Sequence, residues 1–238
     1  MKKQLSRKIK NFEAKEKEGS YGDWRKEFCG RYRDLLIQIR NNSHNALIET
    51  LASKDERITC QKGCTHCCFH YVTVSIAHGI VIVDYLYSNR ALLKQFLDNY
   101  EKWARKGFHI SESLDRTRTQ AQSSSMAIDR VVSATRPLSE RYFEMNIQCP
   151  FLVDNKCLVY HLRPTICSGH YAVSSPNWCT ATSQQEPVIH QLIPSDEDLS
   201  EMMSLVDPRL LLHELTLATM IYKLLTEGSS SVINAMVG

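Results

Sequence analysis

Cys60-Gln61-Lys62-Gly63-Cys64-Thr65-His66-Cys67-Cys68 sets four thiols within nine residues, and the reading of the whole chain turns on this stretch. Cysteines separated by two or three residues let one turn of backbone aim several sulfurs at one point. Gly63 permits the positive-φ turn that such a knuckle needs. Adjacent Cys67 and Cys68 point in different directions, so the two are not expected on one ion. A second block reads Cys149-Pro150-Phe151-Leu152, then Cys157, then Arg163-Pro164-Thr165-Ile166-Cys167, then Cys179. Neither block closes a typical site alone. Pooled, they offer eight thiols, enough for one four-thiolate site with reserves or for two. The ninth cysteine, Cys29, lies apart from both blocks and reads as a small buried hydrophobe.

The rest of the chain sets the context for those thiols. At 238 residues with 43% hydrophobic and 23% charged residues, it can bury one core, and the net charge of +3 does not demand nucleic acid. The first eighteen residues mix lysines with glutamates and read as a solvated helix or tail. Met1-Lys2-Lys3 is followed by charged residues where a signal peptide would have its apolar region. The longest apolar run, Ile76 to Leu86, contains His78 and Asp84 and falls short of the roughly 18–20 residues that cross a bilayer. A cytoplasmic protein, with its thiols reduced and no membrane partner, is therefore expected. The nine glycines form no phosphate-cradling or dinucleotide-binding pattern.

The expected fold is mainly α: a small helical domain with irregular cysteine-rich loops organised by metal. Trp24, Phe28, Tyr32, Leu35, Leu36 and Ile39 predict an amphipathic helix over 23–40, and Leu47, Ile48 and Leu51 a second over 45–54. Tyr71 to Val74 alternates as an extended segment would, and Ser75 is placed to cap the next helix. The stripe Ile80, Val83, Leu86, Leu93, Phe96, Leu97, Tyr100 and Trp103 predicts helix to about Lys106, with Gly107 as the stop. Residues 111–135 read as a weakly amphipathic helix or a connection. Pro137 breaks the pattern, and Leu138 to Met145 resumes it with Tyr142 and Phe143 inward. Residues 147–195 hold five of the seven prolines and read as loops. Asp207-Pro208 predicts a cap and a first-turn proline for a helix over 208–227. Its inward stripe includes Leu211, Leu212, Leu215, Ala218 and Ile221; its wet stripe includes Arg209, His213, Thr216 and Lys223. Gly228 ends it, and 229–238 is a loose tail. An N-terminal helical region over 1–57 thus precedes a cysteine-cluster domain over 58–228 with a helical spacer at about 75–146.

Four thiolates around Zn²⁺ leave a net charge of about −2, and the total around an iron–sulfur core of the 4Fe–4S type is similar. Cations and hydrogen-bond donors should offset it. Arg163, Lys62, His66 and His170 are placed to do so, with Tyr160 beside them, and either histidine can stand in for a cysteine as ligand.

The order C-x3-C-x2-C-C, C-P-F-L, C-x-V-Y-x-x-R-P-x-x-C and a further Cys resembles the zinc- or iron-chelating cysteine-cluster family often called YkgJ-like. The residues that carry the resemblance are Cys60, Cys64, Cys67, Cys68, Cys149 to Leu152, Cys157, Tyr160, Arg163, Pro164, Cys167 and Cys179. It implies chelation of zinc or an iron–sulfur cluster by the eight cysteines, with no general activity attached. The cysteine pattern is also similar to that of flagellin lysine methylases, where an iron–sulfur cluster accompanies methyl transfer. Three functions compete: a metal-binding protein, an iron–sulfur enzyme in group transfer such as protein lysine N-methylation, and a zinc-stapled module that docks a protein partner through 111–135 or the C-terminal helix. The Cys60-x3-Cys64-x2-Cys67 spacing also suits a three-thiolate radical cluster, but the helices on both sides of it oppose the strand–helix repeats that such enzymes require. No nucleophile or acid–base pair stands out.

Overall fold

The computed structural model describes residues 21–61, 63–124, 128–192 and 194–237, and it is mainly helical. The charged stretch at 1–18 and Lys62 lie outside the described residues, as does the side chain of Trp24.

Helix α1 runs from Tyr21 to Ala52 as one helix where two are expected. The polar stretch Asn41-Asn42-Ser43 has poor helix propensity but contains no proline or glycine, and packing on both sides of it carries the helix through. Phe28, Tyr32, Leu35, Leu36 and Ile39 are buried, and Leu47 and Leu51 extend the same stripe. Ile48, expected inward, is 47% exposed because it falls off that stripe. Through Phe28, Tyr32 and Leu36, α1 shares the main hydrophobic core.

Strand β1 (Thr73–Ser75) leads into helix α2 (Ile76–Ser88), and the Ser75 hydroxyl accepts the His78 N–H at 3.3 Å, the cap expected there. Ile76, Ala77 and Ile80 to Val83 are all buried, so α2 is enclosed on every side. That enclosure is why its β-branched run is tolerated. Burial pushes the pKa of His78 down to about 4 and keeps its ring neutral, while its Nε2 lies 2.8 Å from the Leu162 carbonyl.

Helix α3 (Arg90–Ser124) packs along helix α4 (Ile128–Glu144). Two expected breaks are absent. A Cβ at Gly107 would lie 3.1 Å from the Trp103 ring and 3.3 Å from Ile147, so Gly107 is there for a close approach rather than a stop. Pro137 sits inside α4 because Val131, Thr135 and Tyr142 bury one face on both sides of it. That packing outweighs the lost backbone hydrogen bond.

The loops from 147 to 192 carry two short antiparallel pairs. These are β2 (Leu152–Val153) with β3 (Lys156–Cys157), and β4 (His170–Ala172) with β5 (Ile189–Gln191). Between them lies the single helical turn α5 (Thr165–Ser168). Helix α6 (Asp196–Leu205), which the apolar pattern does not announce, starts at a capping box formed by Ser195 and Asp198.

The expected C-terminal helix is divided. Asp207 does cap helix α7 (Pro208–Leu212), but β6 (Glu214–Thr216) then pairs antiparallel with β1, before helix α8 (Leu217–Glu227). Leu212 is turned out and Thr216 is buried, the reverse of the helical expectation, because the strand shifts the phase of the side chains. A Cβ on Gly79 would lie 2.7 Å from Leu224 Cδ1 and 2.9 Å from Met220 Cγ, so the glycine sets how closely α2 and α8 cross. Gly228, at φ 85°, ends α8, and its N–H donates to the Leu224 carbonyl. The expected loose tail is instead helix α9 (Ser229–Val237), anchored by the fully buried Val232. Among the described residues no helix is long and apolar enough to cross a membrane.

Candidate metal centre

The first cysteine block is held from both ends. The Thr59 N–H and hydroxyl both donate to the Ala172 carbonyl at 2.9 Å, which lays Cys60 alongside β4. The Ala172 N–H then points at Cys60 Sγ, 3.1 Å away. Gly63, at φ 95°, turns the chain as the sequence predicts, with the Cys64 N–H donating to Gln61 O at 3.0 Å. His66 to Phe69 follows as a 3₁₀ turn that carries Cys67 and Cys68.

The second block closes onto the first through backbone. The Cys149 N–H donates to Cys68 O at 2.8 Å, and the Leu152 N–H returns to Cys149 O at 3.0 Å. The β2–β3 hairpin sets Cys157 opposite Leu152, and its turn is made by Asp154 and Asn155, both left-handed at φ 47° and 58°. Asx residues tolerate that conformation. The Cys167 N–H donates to Pro164 O at 2.8 Å at the start of α5. Cys179 ends the 3₁₀ turn Pro176–Cys179, which packs on the turn bearing Cys67 and Cys68. All nine cysteines are free thiols.

The electrostatic neighbours place the thiols in two overlapping groups that share Cys67. Burial first, then charge on Cys60, Cys64 and Cys67, pushes Cys179 up to about 11. Cys60 is likewise raised by burial, then by Cys64 and Cys67, against the Ala172 N–H that favours its thiolate. Burial and the proximity of Cys157 and Cys67 push Cys149 up to about 12. Cys167, with Cys149, Cys67 and Cys157 around it, is raised well above the ordinary thiol range, chiefly by burial. Cys67 and Cys68 lie close enough for their thiols to couple, a contact that lowers Cys67 and raises Cys68, and Arg163 further favours the thiolate at Cys67. Cys67 neighbours Cys60 and Cys179 as well as Cys149, Cys157 and Cys167.

Arg163 favours the thiolate at Cys67, Cys157 and Cys167, opposing burial at the last two. It also stacks 4.0 Å over the Tyr160 ring. His170 Nδ1 lies 3.1 Å from Gln191 Oε1, and its ring centre is 5.9 Å from that of His70. His66 heads the 3₁₀ turn. His70 has no sequence signal beyond its place after the block. It stacks on Phe143 at 4.2 Å, and burial and then His170 push it down to about 4, which keeps it neutral.

Among the described residues, no three His, Cys, Asp or Glu side chains converge closely enough to hold an ion as they stand. The donors therefore share a neighbourhood without forming a contracted shell. Their chemistry fits a soft metal: the sulfurs are partly buried and reduced, and a guanidinium and a backbone N–H stand beside them.

A cavity of about 670 Å³ opens against six of the thiols: Cys64, Cys67, Cys68, Cys149, Cys157 and Cys167. Its apolar lining joins Val72 and Phe151, which adjoin the two cysteine blocks, to Trp103, Tyr142, Leu217 and Ala218 from helices remote in sequence, and that second contribution is not legible in the cysteine motif. The Trp103 N–H donates to the Tyr142 hydroxyl at 2.9 Å. Cys60 and Cys179 are not part of the lining.

No protein-family model, no curated protein and no solved structure matches the chain.

Proposed function

We propose that the chain binds zinc or an iron–sulfur cluster through thiolates drawn from both cysteine blocks. The observation that carries this reading is the direct backbone bond from Cys149 N–H to Cys68 O at 2.8 Å, amid eight reduced and partly buried thiols. With the shared Cys67 counted in the first, one set of donors is Cys60, Cys64, Cys67 and Cys179, and the other is Cys68, Cys149, Cys157 and Cys167. Each set has four sulfurs, the number that closes a tetrahedral shell. Burial raises most of these thiols and so disfavours bare thiolates; a cation among them reverses that preference and releases the protons. Arg163 then offsets part of the negative charge of the loaded site. When bound, the metal supplies charge neutralisation that ties the loops from 147 to 192 together, or, as an iron–sulfur cluster, electron transfer.

The test is metal analysis with visible spectroscopy on full-length protein purified without oxygen. Stoichiometric zinc in a colourless protein, or iron and sulfide with broad visible absorption, supports the reading and selects the metal. A protein that retains neither, and that takes up neither after reconstitution, overturns it. The cavity beside the thiols favours a second reading, an iron–sulfur enzyme in group transfer such as protein lysine N-methylation. Incubation with labelled S-adenosylmethionine and candidate proteins tests it, and absence of label in all of them removes it.

A further inference from the structure

We propose that the cavity beside the cysteine blocks is a binding site for a small, carbon-rich organic molecule that carries one acceptor group, a carboxylate or carbonyl, received by Arg163. Size is the first argument. The cavity measures about 670 Å³, within the ~300–1,000 Å³ typical of small-molecule sites. A single zinc ion in a four-thiolate shell with bonds of ~2.3 Å encloses only about 50 Å³ out to its sulfurs, so a zinc ion bound to the thiol wall leaves most of the space to something else.

The chemistry of the walls fixes the class. Val72, Leu217 and Ala218 present carbon. Trp103 and Tyr142 add aromatic surface, with the indole N–H already bonded to the Tyr142 hydroxyl. Thr216 lines the same wall, yet its N–H and hydroxyl both donate to Asp115 Oδ1, at 2.7 and 2.8 Å. A ligand body there meets little that asks for a hydrogen bond.

Polarity enters from the loop side. Arg163 lines the cavity with its guanidinium stacked over Tyr160 and its Nε bonded to the Tyr160 carbonyl at 3.2 Å. That arrangement fixes the plane of the fork while its terminal nitrogens keep their donor capacity, the geometry suited to a carboxylate or carbonyl. Lys156 adds a second cation to the lining, against one acid, Asp154. Cys149 and Cys167 are half-buried and line the cavity. A molecule seated here therefore rests directly against the thiol wall. The proposal goes beyond the metal reading and does not require it.

The experiment is titration calorimetry of full-length protein with two probes of one shape, 2-naphthoate and 2-naphthylmethylammonium. Each titration is run on protein purified without oxygen and again after chelator treatment. The expected result is saturable binding of one naphthoate per chain, with the cation at least tenfold weaker. Ala218→Leu and Val72→Phe, which fill the cavity from neighbouring parts of its wall, are expected to weaken naphthoate at least tenfold while circular dichroism stays unchanged. Arg163→Gln is expected to weaken naphthoate about tenfold and to narrow its preference over the cation; it carries the test if a filled variant fails to fold. Naphthoate binding to protein that never holds a metal upholds this proposal and removes the metal reading alone. No saturable binding of naphthoate, or equal binding of both probes, overturns it, and so does full affinity in the folded filled variants.

Discussion

Asp115 offers a quantitative test of how the cavity wall is built. Its Oδ1 accepts from the Thr216 N–H, the Thr216 hydroxyl and the Tyr71 hydroxyl, and so fastens α3 to β6 and to the segment that leads into β1. Its Oδ2 is buried without a hydrogen-bond partner among the described residues. Burial accordingly outweighs those bonds and raises its pKa from 3.8 to about 6. The folded state therefore holds a proton that the unfolded chain has released at pH between about 4 and 6. Stability must fall as pH rises through that window. A shift of about two units corresponds to about 3 kcal/mol at ~1.4 kcal/mol per unit, and Asp115 is 6% exposed, so little of that is lost to solvent screening.

The raw stability profile will not display this fall on its own. His70 and His78 have depressed pKa values, so the unfolded chain binds more protons at each between about 4 and 6.5, and their contribution grows as pH rises there. Asp115→Asn separates the effects. The amide keeps an oxygen for Thr216 but cannot ionise, while both histidines remain. Urea unfolding of wild type and D115N at half-unit steps from pH 4 to 7 gives the difference curve. Wild type is expected to lose about 3 kcal/mol relative to D115N as pH rises across the window. A flat difference curve, or one that rises with pH, would refute the assignment of Asp115 as a buried, partly unsatisfied carboxyl.

Gly79→Ala should force a Cβ into Leu224 and Met220, both fully enclosed; a loss of about 1–3 kcal/mol is expected by denaturant unfolding, and an unchanged midpoint contradicts the close crossing of α2 and α8. Cys64→Ala or Cys167→Ala should make 147–195 far more sensitive to limited proteolysis than Cys29→Ala does, since Cys29 is core packing and the other two belong to the proposed donor sets. Equal cleavage of the three variants counts against a metal-organised loop region. Treatment of native protein with a chelator should reproduce the Cys167→Ala digestion pattern if the ion holds the loops.

Local chemistry made much of this molecule legible. Ser75 and Asp207 cap helices because a short polar side chain before an apolar run satisfies free N–H groups wherever the rest of the chain goes. Gly63 adopts the left-handed turn that its place between thiols calls for, and the stripe from Phe28 to Ile39 faces the core as its spacing requires. The expected breaks are absent where packing outweighs propensity. Gly107 and Pro137 sit inside helices because buried neighbours hold those helices together. Likewise, nothing in the apolar period of 208–227 distinguishes a continuous helix from one interrupted by a strand. The interruption comes from β1, which needs a partner for its backbone groups and finds it at Glu214–Thr216.

The sequence by itself determined the eight clustered thiols, the mainly helical class and most of the caps, because these depend on residue type and short-range spacing. Tertiary structure alone decided which thiols are neighbours and that Cys67 adjoins both groups of them. It also decided that a cavity opens between the cysteine loops and the wall carrying Trp103, Tyr142 and Ala218. Contacts between segments so far apart in the chain arise from burial of apolar surface, which acts on whole elements and has no direction that a local motif can encode.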